Sequence, residues 1–141
     1  MITSFDTDDV LFQVLNASQE LKAAISGGIY PENERPDNSE KEDITVNTIT
    51  ITRNFTPQTG TSNVNIYVPD LKLKINSQEQ RKENRERLRE ITNLVISVLE
   101  AANPEGLAFW ISNQTTLKEP DIYQHYANLR IDWNIQLSKN N

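Results

Sequence analysis

The single histidine of the chain, His125, lies in DIYQHYANLRIDWNIQ (121–136), four residues after Asp121 and seven before Asp132, with Tyr123 and Tyr126 close by. On a helix Asp121 and His125 would share a face, and a carboxylate beside an imidazole is the beginning of an acid–base or metal centre. Pro120 and the alternating stretch that follows argue against that helix. There is no G-x-S-x-G turn, no cysteine and no second histidine to supply a nucleophile or a ligand set. His125 therefore reads as a hydrogen-bonded structural residue at the entry to a strand, and no catalytic residue, cofactor or metal is expected.

Two other groupings admit the same question. In VPDLKLK, Asp70 with Lys72 and Lys74 faintly resembles the acid–acid–lysine set of metal-dependent nucleases. Leu71 and Leu73 stand where a second carboxylate would be needed to converge on a cation. Arg81, Arg85 and Arg89 recur at helical spacing and could meet phosphate, but acids at 79, 83, 86 and 90 interleave with them. A solvated or subunit-facing surface is the plainer reading. The chain has four glycines, and Gly27-Gly28 follows a helix rather than opening one, so no phosphate loop is present.

The elements that must position these groups follow from periodicity. Val10, Leu11, Val14, Leu15, Leu21 and Ile25 recur at helical spacing, with Ser18 and Ala24 as small members of the stripe. Asp6 is the expected N-cap, Phe5 and Val10 a staple, and Gly27-Gly28 the stop. A short extended entry at Ile29-Tyr30 precedes a polar loop over 31–43. In ITVNTITITRNF the inward parity changes between Ile44/Val46 and Ile49/Ile51, which predicts a bulge that keeps all four inside. NVNIYVPD alternates with Val64, Ile66 and Val68 inward, after a loop over 53–62. A second helix is expected from NSQEQ, with Ser77 and Gln80 as a capping box, a polar first half, and a second half docked through Leu88, Ile91, Leu94, Val95, Val98 and Leu99. LAFWI forms a short strand, 112–124 a third polar loop, and ANLRIDWNIQL the last strand, burying Leu129, Ile131, Trp133, Ile135 and Leu137.

The expected fold is α+β: a mainly antiparallel sheet of four to five strands with two helices packed on one face, in the order α-β-β-β-α-β-β. At 141 residues it is one domain over 1–141, with long polar loops at 31–43, 53–62 and 112–124. No stretch reaches the roughly 20 apolar residues of a membrane span. Residues 1–43 carry ten acids and three bases, whereas 44–141 carry ten acids and eleven bases. That asymmetry argues against a general grip on nucleic acid, which needs a basic patch, and marks one end as acidic.

EDITVNTITITRNFTPQTGTSNVNIYVPDLK, RLREITNLVISVLE and FWISNQTTLKEPDIYQHYANLRIDWNI together resemble small proteins from the virion-assembly regions of tailed phages and prophages of Bacteroides-like hosts. The order of elements is similar to the tail-terminator and tail-completion class of neck proteins, over roughly residues 5–137. The resemblance implies a non-enzymatic α+β subunit of a homo-oligomeric ring at the head–tail junction of the virion, assembled in the host cytoplasm. Its implied neighbours are portal-side and tail-side virion proteins, with DNA passing through the lumen without sequence-specific contact. A ring subunit presents two different surfaces to its two neighbours. The expected interface residues are Glu32, Glu34, Asp37 and Glu40 on the acidic loop and Arg53, Arg81, Arg85 and Arg89 opposite them. That loop, with six acids against Arg35 and Lys41, is expected to be a mobile arm ordered on contact. The alternatives are a small soluble adaptor of a mobile element, acting as monomer or dimer, and a small nuclease around Asp70 and Lys72.

Overall fold

The computed structural model describes residues 1–54 and 56–136; Leu137, expected inside the last strand, lies outside them. A five-stranded sheet has the spatial order β1-β2-β3-β7-β6. Its members are β1 (Ile29–Pro31), β2 (Asp43–Ile51), β3 (Gln58–Pro69), β6 (Leu107–Glu119) and β7 (Gln124–Ile135). All neighbours are antiparallel except the short β1, which runs parallel to β2. Three helices, α1 (Ser4–Asn16), α2 (Gln19–Ala24) and α3 (Arg85–Ala101), cover one face. A separate hairpin, β4 (Leu71–Ile75) with β5 (Gln78–Lys82), leaves the sheet at the end of β3.

The core is built from the two periodicities. Val64, Ile66 and Val68 of β3 stand across from Leu129, Ala127 and His125 of β7, so alternate residues share the helix side. Leu88, Ile91, Val95 and Leu99 of α3 and Leu11 and Leu15 of α1 close over them. Ile131 and Trp133 are both buried here, as the alternation of the last strand predicts. Trp133 packs tilted against Phe109, ring centroids 5.0 Å apart. Its indole N–H donates to Ser62 Oγ at 2.8 Å, and Ser62, Thr48 and Thr7 continue as a row of paired hydroxyls into α1.

Local expectations changed in several places. The first helix is two: Ser18 caps α2 by accepting the Leu21 N–H at 3.1 Å, because a serine hydroxyl competes for backbone groups better than it fills a stripe. Thr3, not Asp6, is the N-cap of α1, and Asp6 accepts the Thr3 N–H at 2.8 Å. Phe5 is 75 % exposed, so no staple forms. Neither Gly27 nor Gly28 takes a left-handed conformation. Glycine at position 27 is required by close approach, since a Cβ there would overlap the Asp43 carboxylate. The bulge in β2 falls between Thr48 and Thr50; it keeps Ile51 against the core but leaves Ile49 52 % exposed.

The larger corrections concern the loops and the second helix. β3 begins at Gln58 and β6 runs on to Glu119, so half of 53–62 and most of 112–124 is strand. These stretches resemble loop because Gln58 and Ser62 fill the helix side with hydrogen-bonded polar groups, while 112–118 of the edge strand β6 are exposed on both faces. Residues 77–84 are not helical: 78–82 pair with 71–75, and α3 starts after Asn84, whose side chain accepts the Arg87 N–H at 3.3 Å. The Ser77/Gln80 capping box therefore does not exist.

Candidate functional site

His125, second residue of β7, is held by Asp70 at the root of the hairpin, Nδ1 to Oδ1 2.7 Å. Asp70 is 2 % exposed, and its N–H donates to the Tyr123 carbonyl at 2.8 Å. Asp121, the partner the sequence placed at helical spacing, is exposed in the turn before β7 and makes no bond with the ring. Asp132 lies on the opposite face of β7, seven residues and about 23 Å along the strand. Tyr126 also faces that side, stacked on Tyr67 with centroids 4.9 Å apart. The sequence-local cluster is thus dispersed, and the group that replaces it comes from three elements.

Around the Asp70–His125 pair an open cleft is lined by Arg81, Lys82, Lys118 and Tyr123, with the Arg81 guanidinium 4.7 Å from the Tyr123 ring centre. A carboxylate that orients an imidazole is half of a nucleophilic or metal site. No serine or threonine hydroxyl lines the cleft. Among the described residues, no group of three or more His, Cys, Asp or Glu is placed to hold a metal ion. Asp70 is taken up by His125, and Lys72 pairs with Glu79 at 3.3 Å. What the arrangement does is fasten the hairpin to the β6–β7 turn at two points, Asp70–His125 and Arg81–Tyr123.

The 31–43 loop lies down on the face of the sheet opposite the helices. Glu32 accepts from Tyr67 Oη at 3.0 Å and from the Thr45 hydroxyl. Arg35 packs 3.9 Å over the Tyr67 ring, donates to Asp43 at 2.9 Å and reaches Gln124 at 2.8 Å. Asp43 is buried and also accepts from Ser39 at 2.6 Å and the Gly28 N–H at 2.9 Å. Burial, reinforced by the Glu32 charge, pushes the Tyr67 hydroxyl well above its ordinary pKa; burial first, then Glu119 and Glu32, raises Tyr126. Glu42 is gripped by Arg87, whose hydrogen bonds hold its carboxyl below the usual value. The loop is therefore not a free arm, because Glu32, Glu42 and Asp43 have partners inside the same chain.

The structure distributes the expected interface residues unevenly. Glu34, Asp37 and Glu40 are exposed on the loop, while Glu32 turns inward. Arg53 donates to the Ile2 carbonyl at 2.9 Å. Arg81 is on β5, so it shares no helical stripe with Arg85 and Arg89, which line a shallow groove between α3 and β6. Sequence reading missed the hairpin itself. Its signal was the alternation Leu71-Lys72-Leu73-Lys74-Ile75 followed by Asn76-Ser77, both at positive φ in the turn.

No family model matches the chain, and no curated protein matches it. A chain from a solved structure, "Virion of native gene transfer agent (GTA) particle", shares the fold. The match has a TM-score of 0.56 and 10 % sequence identity, and covers 90 % of this chain and 92 % of that one.

Proposed function

We propose that this chain is a structural virion protein that forms a ring at a phage head–tail junction, as a connector or tail-terminator subunit, and carries out no catalysis. The observation that carries the reading is the fold shared with a chain of the gene transfer agent virion over nine-tenths of both lengths. Two surface features suit an assembly role. The hairpin stands off the sheet with Leu71, Leu73 and Ile75 exposed, and a lone two-stranded hairpin is marginal in water unless something packs on it. The edge strand β6 runs thirteen residues and exposes Trp110 and Leu117. In this reading the ring's neighbours are portal-side and tail-side virion proteins, and DNA passes its lumen without sequence-specific contact. Native mass spectrometry and negative-stain microscopy of the purified chain at micromolar concentration test it: a closed ring of one copy number is expected, and a strict monomer would reject it.

The rival with an observation in its favour is the soluble adaptor. The internal ties of Glu32, Glu42 and Asp43 complete the acidic loop within one copy, as a monomer would need. The same measurement separates the two.

A further inference from the structure

The end of α3 and the edge strand β6 enclose a notch of about 280 Å³. Leu99 and Ala102 line it from the helix, and Phe109 and Ile111 line it from the sheet. Phe109 and Ile111 stand across from Trp133 and Ile131 of β7, so the notch continues the core on the helix side. They are only partly buried, because β6 is the last strand and no further strand lies beyond it. Glu100 and the half-exposed Trp110 complete the lining. The last turn of α3 carries no basic residue, so Glu100 adds its charge to the negative end of the helix. The occupant that suits this notch brings aliphatic side chains and a cation on one face.

The hairpin has such a face. Leu71 is opposite Lys82, Leu73 opposite Gln80 and Ile75 opposite Gln78, so these six side chains share one side. Lys82 is directly across from Leu71 and diagonal to Leu73, about 5 and 7–8 Å away. Lys72, Lys74 and Arg81 belong to the other side, where Lys72 pairs with Glu79 and Arg81 lies over Tyr123. Leu71 and Leu73 are each 40 % exposed.

A hairpin cannot fill the notch of its own chain. Its root, Pro69, is level with Gln124, which pairs with Glu119 at the far end of β6. Glu119 is about 26 Å along that strand from Ile111, whereas a five-residue arm spans about 17 Å. The Asp70–His125 pair also pins the root at that end.

We infer that the hairpin of one copy seats Leu71 and Leu73 in the α3–β6 notch of a second copy of this chain, with Lys82 facing Glu100. The opposite side of the hairpin keeps its own ties to Glu79 and Tyr123. The contact joins two different surfaces, so repetition closes into a ring or runs on as a filament. The inference rests on the ring reading and names the surfaces that build it.

Two variants test it, both outside the buried core: Leu73→Ser weakens the hairpin face, and Ala102→Arg fills the notch and sets a cation against Lys82. Each alone is expected to lose assembly by at least tenfold in native mass spectrometry, with thermal melting unchanged. An equimolar mixture is expected to give 1:1 dimers and nothing larger, because each variant keeps one competent surface. A cysteine pair reads the contact without weakening it, since the chain has no cysteine of its own. Leu73→Cys/Glu100→Cys is expected to give a ladder of oxidised multimers, and Leu73→Cys/Phe5→Cys none. If wild type assembles and the Leu73–Glu100 pair gives no ladder, or either single variant assembles as wild type does, the inference is wrong and the ring reading stands. If wild type stays monomeric, the ring reading fails and takes the inference with it.

Discussion

Arg87 grips Glu42 with two prongs, Nε to Oε2 at 2.6 Å and Nη2 to Oε1 at 2.9 Å, while the same guanidinium donates to the Ala24 carbonyl that ends α2. One side chain on α3 therefore ties down the acidic loop and the last turn of the neighbouring helix. A cation at a helix C-terminus is favourable in itself. The contact expected between an acidic arm and a basic helix of two subunits is made here within one.

That pair sets a pH dependence. Glu42 is held below its ordinary 4.5, chiefly by the Arg87 hydrogen bonds. A depressed acid contributes stability that is complete above the unfolded value and is lost as pH falls through the folded one. Arg87→Met should cost about 1.5–3 kcal/mol near neutrality, and the deficit should shrink as pH falls below 4.5. Asp8, raised mainly by burial, acts in the opposite sense. Urea melts of both proteins across the acid range check this; a deficit independent of pH would detach Arg87 from Glu42.

Trp133 should be the costliest single truncation. It is 1 % exposed, packs on Phe109 and donates to Ser62. Trp133→Ala is expected to cost about 3–5 kcal/mol, a large share of a small domain's stability. Trp133→Phe keeps an aromatic ring, though a smaller one, and removes the indole bond to Ser62, whose hydroxyl still pairs with Thr48, so it should cost clearly less. Equal losses in chemical denaturation would mean that the indole hydrogen bond, rather than packing, dominates.

The turn of the hairpin offers an increase. Ser77 has φ 63°, a conformation glycine adopts without penalty, and Asn-Gly is the preferred pair for such a turn. Ser77→Gly should stabilise the hairpin by about 0.5–1 kcal/mol. Slower amide exchange across 71–82 with no change in α3 would show it; faster exchange would refute it.

What the sequence disclosed and what it hid divide along physical lines. Val64, Ile66, Val68 and the odd residues of 129–135 alternate because one face meets helices, and burial writes itself in hydrophobicity. That rule fails where the helix side is filled by polar groups, as at buried Gln58 and Ser62, and along the edge strand at 112–118, exposed on both faces, so these stretches read as loop although they are strand. The 78–84 stretch is polar and charged with a Ser-x-x-Gln opening, local chemistry that helix and hairpin both accept; cross-strand pairing with 71–75 decides it. His125 was legible as a bonded residue, but its partner was not. Asp70 lies 55 positions away and is brought to it only by the register of β3 on β7.

The Asp70–His125 clasp should matter for hairpin position more than for the fold. Removing the ring leaves Asp70, a buried carboxylate, short of a donor, which costs about 1–3 kcal/mol. Asp70→Asn leaves no buried charge and keeps a side chain that can bond the imidazole, so it should cost less than His125→Ala. In both, the β6–β7 turn and the hairpin root lose an anchor while α3 and the Trp133 core keep theirs. Amide exchange is therefore expected to rise at 70–82 and 120–125 and stay unchanged at 88–99. If His125→Ala instead raised exchange uniformly, the pair would be part of the global core. If it changed nothing, Arg81 on Tyr123 alone would suffice to hold the hairpin.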